Sequence, residues 1–416
     1  MSDPEFFGAG GPFSGGPFGE LMRNLARLFT AQGPVNWEIA RQMALWAATQ
    51  GQPEVNVDPV ARVRMEELIR VAELHVGEAT GLAVSSSGVL TVRAVTPSDW
   101  AARTLDAWKP PLEALATTMN SALEQSGENG GIQALGFAGP RPPGGTAAGG
   151  DDDPMAKLFA NLPQVLGPFL FGLQAGSMVG QLATRAMGQY DLPMPRPPSD
   201  ELLVVPSTID AFASDWSIDP DDARMWVCLR ETVHHAVLGR PHVRARLDRL
   251  IGEYVAAFDP NPSLLEGKLG GLDPTDMAGM QELFGDPETL LGEMESDAQR
   301  RIRVSLRCIL SALVGYSDHV MDSVGRRLVG SYGPITEALR RRRLEESSGT
   351  RILGKLFGVV LDQAGYEEGR SFVRGITERA GEDGLARLWA SEKELPTPAE
   401  LAAPGLWLAR IDLPET

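Results

Sequence analysis

Cysteine is almost missing. The chain of 416 residues has two, Cys228 and Cys308, which excludes a disulfide framework and any Cys-rich zinc site. Both fall in apolar helical patterns and read as small core residues. Positive charge is also short: 38 Lys and Arg face 55 Asp and Glu, a net charge of −17. That balance excludes nucleic acid as a principal partner, because phosphate binding needs a basic field. No glycine-rich phosphate loop opens a helix after a strand, no Gly-x-Ser-x-Gly occurs, and neither cysteine has a base beside it. Nucleotide binding and nucleophilic catalysis therefore have no candidate. Long apolar runs are lacking too. Residues 158–184 carry no charge, with Gly172, Gly176 and Gly180 four apart, but Asn161, Pro163, Gln164, Pro168, Gln174 and Gln181 interrupt them. A helix buried in a large core is expected there, with no transmembrane segment. Residues 1–20 have neither a basic start nor an apolar core, so no signal peptide and a cytoplasmic location are expected.

What is present, 43% hydrophobic and 22% charged, is an ordinary globular composition. Residues 1–19 repeat Gly-Gly-Pro-Phe and predict a disordered tail. Residues 20–31 are amphipathic. Over 20–125 the pattern predicts a helical region, with helices at 35–50 and from Asp58-Pro59 to about Gly77. A short β-hairpin is expected at 81–95 around Ser85-Ser86-Ser87-Gly88. A helix capped by Thr96 follows, broken at Pro110-Pro111. Residues 126–153, rich in Gly, Pro and Ala, predict a flexible linker. The main body, 154–416, holds the glycine-spaced helix and a short extended segment at Leu202–Val205. Long helices follow at 219–238 and 298–325. An acidic strip at 273–297 and the Arg340–Arg343 run, suited to pair with each other, lie in the same body. Thr397 to Glu400 reads as a capping box, and Trp407 as an anchor for the tail.

The chain's chemistry concentrates in residues 219–244, where His234, His235 and His242 supply three of the five histidines. Asp219 suits the N-cap, Pro220 the first turn, and Gly239 the stop. Trp226, Leu229, Val233, Ala236 and Val237 form an apolar stripe. Arg230 and His234 lie one turn apart on its flank, and Glu231 and His235 one turn apart further round. The frame Arg230-Glu231-Thr232-Val233-His234 has the spacing of His-Glu-x-x-His. In that device two imidazoles on one helix face hold zinc, and the glutamate serves as general base. Here the base and the second ligand are present, while arginine, which has no lone pair for a metal, takes the first position.

Other segments join this frame: Gly315-Tyr316-x-Asp318-His319-Val320-Met321-Asp322, the Arg340–Arg343 run, Gly384-Leu385-x-x-Leu388-Trp389, and Trp407-Leu408-Ala409-Arg410. Together the chain resembles an actinobacterial family of zincin-like proteins labelled hydrolases or zinc-dependent metalloproteases, of unknown function. The similarity covers most of the chain from about residue 20, apart from 126–153. It implies a mainly α-helical, zincin-like body, so the expected fold is multi-helical with one small hairpin and one extended segment. It also implies a third ligand, a glutamate, where this chain has Val314.

The leading expectation is a degenerate metallopeptidase motif in a protein that holds no cofactor. Its role would be structural, or the binding of a protein or peptide partner, and Arg230 would bridge carboxylates such as Glu231 and Asp318. The alternative is a metal-dependent hydrolase with Glu231 as general base. Its ligands, for zinc or a similar ion, would be drawn from His234, His235, Asp318 and His319.

Overall fold

The structure is a computed structural model that describes residues 33–128, 154–258, 295–344 and 348–413. The expected tail at 1–19, the amphipathic stretch 20–31, residues 129–153 of the expected linker and residues 273–294 of the acidic strip lie outside the described residues. The fold is mainly α, with fourteen α-helices and one two-stranded sheet among the described residues. These fall into two compact units. Among the described residues the smaller draws on 33–43, 115–128 and 154–177, the larger on 44–114, 178–258, 295–344 and 348–413.

The expected glycine-spaced helix is present as α5 (Pro154–Ala183). It follows α1 (Trp37–Thr49), α2 (Pro59–Thr80), α3 (Pro97–Ala107) and α4 (Lys109–Glu128). A Cβ on Gly172 would meet the Asn36 carbonyl oxygen at 2.4 Å, and one on Gly176 the Ala40 oxygen at 2.2 Å. The spacing therefore lets α5 lie directly on backbone. No helix of the described residues is long and apolar enough to cross a membrane.

Two expectations in the larger unit change. The α2 helix passes Gly77 and stops at Gly81, which takes the left-handed conformation (φ 66°) and donates its N–H to the Gly77 carbonyl. The expected hairpin at 81–95 is not formed. Strand β1 (Thr91–Ala94) instead pairs in parallel with β2 (Glu201–Val204), Thr91 opposite Glu201 and Ala94 opposite Val204. The serine-rich turn explains the switch. The Ser86 and Ser87 N–H groups donate to the Asp200 carboxylate at 2.7 and 3.0 Å, so this loop holds the start of β2 rather than folding back on itself.

After α6 (Pro206–Asp215) comes α7 (Pro220–Leu238), with the expected ends: Asp219 accepts from the Asp221 and Asp222 N–H groups, and Gly239 closes the helix. The helix is buried on every side from Glu231 to Leu238, not along one stripe, because α2, α6, α9 (Asp297–Leu328) and β2 surround it. Cys228 lies 3.9 Å from the Met65 sulfur in this core. Then come α8 (Pro241–Ala256), α9, α10 (Tyr332–Leu344), α11 (Ser348–Phe357) and α12 (Gln363–Ala386). The α9 and α12 helices pack most extensively, through a glycine crossing where a Cβ on Gly315 would stand 2.2 Å from the Gly369 oxygen. The tail forms α13 (Pro398–Ala402) and α14 (Pro404–Ile411), anchored by Trp407, whose indole N–H donates to the Glu394 carbonyl at 2.6 Å.

Candidate metal-type cavity on helix α7

Positions 226, 230 and 234 are successive turns of one face of α7. Trp226, Arg230 and His234 line a cavity of about 180 Å³ in the larger unit. Val314, Ser317 and Asp318 of α9 form another wall. The two ligand positions of the motif therefore open on one space as arginine and histidine, and Val314, where the resemblance implied a third ligand, lines the same space.

The arginine is locked in place. Its Nη1 donates to Glu231 Oε1 at 3.0 Å and lies 3.5 Å from Asp191 Oδ1, while Nη2 lies 3.4 Å from the Tyr190 carbonyl. The pairing expected with Asp318 goes elsewhere, since Asp318 accepts from Arg370 Nε of α12 at 2.9 Å. Glu231, 0% exposed, also accepts the Tyr190 N–H at 2.6 Å. A Cβ on Gly188 would fall 2.3 Å from the Glu231 carboxyl carbon, so the loop after α5 lies against that carboxylate. Burial pushes the Glu231 carboxyl up to about 7, and the neighbouring Arg230 charge opposes the shift.

The two adjacent histidines separate. His234 donates its Nδ1–H to the Arg230 carbonyl at 2.9 Å. His235 lies against the same Tyr190 ring, with ring centroids 5.9 Å apart. The Tyr190 hydroxyl, its own pKa raised to about 12 by burial, stays protonated and donates to His235 Nδ1 at 3.1 Å. Burial lowers His235 to about 4. His319 pairs with Glu382 at 3.0 Å and is not among the cavity residues. Of the candidate ligands, His234 and Asp318 share the cavity, while His235 and His319 do not. Among the described residues no group of three or more His, Cys, Asp or Glu could hold a metal ion.

Zinc needs three protein ligands with an open position, plus a base that reaches the bound water. A guanidinium stands at the first ligand position, an isopropyl group at the third, and the base is enclosed by backbone and arginine. These residues do not fit a zinc-peptidase centre. Sequence reasoning missed the supporting loop Gly188-Gln189-Tyr190-Asp191, which carries no motif and meets α7 only in space. It also missed Arg196, half-buried, which donates to Thr104 Oγ1 at 2.7 Å and whose pKa desolvation lowers to about 10.

The model of the zincin-like metallopeptidase family matches residues 35–408, and the chain belongs to that family. Its fold is similar to that of a crystal structure described as a "putative hydrolase with a novel fold" from Chloroflexus aurantiacus. The TM-score is 0.58 at 20% identity, over 92% of this chain and 100% of that one. No curated protein matches the chain.

Proposed function

We propose that this chain is a non-hydrolytic member of its family, whose cavity binds a partner group where catalytic relatives would hold zinc. One observation carries the reading: the guanidinium of Arg230 occupies the first ligand position and is tied to Glu231 and Asp191. A permanent positive charge there repels a divalent ion, most strongly in a partly buried site. The same guanidinium satisfies the carboxylate that would otherwise activate water. The fork offers planar recognition of a carboxylate, so the site retains a use in binding.

The alternative, a metal-dependent hydrolase with Glu231 as base, draws on His234 and Asp318 sharing the cavity. Turnover of an internally quenched peptide library with added zinc separates the two readings. The expected result is no cleavage above the buffer rate, with or without chelator. Cleavage that is lost both with chelator and in Glu231→Gln would establish the hydrolase.

A further inference from the structure

Apolar exposure is concentrated in one part of the larger unit. Among the described residues eleven large apolar side chains are exposed, and eight of them fall between Leu45 and Val89. Four belong to α2: Val60 at 74%, Val63 at 54%, Val71 at 37% and Leu74 at 58%. At about 100° per residue they lie within an arc of about 80°, one stripe running about 21 Å along the helix. The opposite side of α2 buries Met65, Leu68, Ile69, Ala72 and Val76 against α7, α9 and β1. The helix is therefore apolar on two faces, and the described residues cover only one of them.

Two charges of opposite sign, Glu67 and Arg70, stand near the middle of the stripe, three residues apart. Glu67 pairs with Arg64 at 3.3 Å, and that guanidinium also holds Asp221 at 3.0 Å. Arg70 makes no ion pair or side-chain hydrogen bond among the described residues. A two-fold axis placed between Glu67 and Arg70 turns this pattern onto itself. An antiparallel copy that sets its Arg70 on Glu67 also sets its Glu67 on Arg70. The next layer on either side then joins Val63 of one copy to Leu74 of the other. Two opposite-charge pairs thus lie between two apolar layers. In the register that sets Glu67 on Glu67, like charges meet at the axis, so charge selects the first register.

We propose that the exposed face of α2 is a contact between two copies of this chain, an antiparallel helix pair with reciprocal Glu67–Arg70 ion pairs. One helix face buries less than the roughly 1,200–2,000 Å² of a standard interface. Two copies that each carry a net charge of −17 also repel one another. The dimer is therefore weak and reversible, with a dissociation constant of about 1–100 μM. No residue of α2 lines the cavity, so the contact stands apart from the reading of that site.

The experiment is sedimentation velocity of the full chain from about 1 to about 300 μM, at about 0.15 M salt. The expected result is a monomer of 44.7 kDa at the lowest concentration and a dimer at the highest. Glu67→Arg or Arg70→Glu alone brings like charges together and should weaken the dimer about tenfold or more. Both reversals in one chain restore opposite pairs and should restore the association. A monomer at every concentration, the result if another segment of the chain or a different protein covers the stripe, overturns the proposal. So does a dimer that ignores the single reversals, or one that the double reversal fails to recover. Should a variant fail to fold, crosslinking decides. A mixture of Val63→Cys and Leu74→Cys chains should be bridged by a short bismaleimide far more than either chain alone, since Cys228 and Cys308 are buried. Equal crosslinking of the mixture and the separate chains overturns the proposal.

Discussion

Arg230 and Glu231 are adjacent in sequence, the arginine side chain 16% exposed and the glutamate fully enclosed, and they pair at 3.0 Å. Glu231 is fully enclosed, so removing its cation leaves a buried charge. Arg230→Ala should cost about 3–5 kcal/mol at pH 8 by chemical denaturation. The loss should be smaller at pH 5, where Glu231 can take up a proton instead. An unchanged midpoint at pH 8 would show that the ion pair contributes nothing. Titration makes a second prediction. The folded pKa of Glu231, about 7, lies above its ordinary 4.5. Its contribution to stability is therefore complete below pH 4.5 and lost as pH rises toward 7. His235 has the opposite sign: lowered from 6.5 to about 4, its contribution is present above pH 6.5 and lost as pH falls through 4. Glu231→Gln should gain stability relative to the natural chain between pH 4.5 and 7, whatever its constant offset. A difference that stays flat across that range would show that Glu231 titrates normally.

At the scale of elements, the ends of α7 were legible because Asp219, Pro220 and Gly239 act locally. The burial of α7 was not, because its polar face is covered by the loop at 188–191 and by α9, both distant in sequence. The hairpin failed for the same reason: Ser86 and Ser87 suit a turn, but Asp200, more than a hundred residues on, offers their N–H groups a carboxylate. Glycines give the sharpest element-level test. At the α9–α12 crossing, Gly315→Ala forces a methyl against the Gly369 carbonyl. It should destabilise by about 1–3 kcal/mol, as overpacking does. Gly252→Ala in α8 meets nothing within 4 Å and should stabilise by about 0.5–1 kcal/mol through helix propensity. If the two substitutions shift the denaturation midpoint in the same direction, the crossing is not as close as described.

At the scale of the molecule, the mainly helical zincin-like fold could be read from the chain because the frame around His234 and the segments at 315–322 and 384–410 together resemble the family whose model matches residues 35–408. The site was legible in part. Arg230, Glu231 and His234 stand out by spacing, whereas the division of labour between His234 and His235 depends on Tyr190, which no periodicity identifies. The acidic net charge of −17 gave no hint of an arginine-lined cavity, since three arginines converge from α10 and from the regions around α5 and α7. This donor set should not hold zinc. Elemental analysis of the purified chain after incubation with zinc and gel filtration tests it most directly. The natural chain should retain no zinc. About one zinc per chain, removed by chelator and absent from His234→Ala, would contradict it.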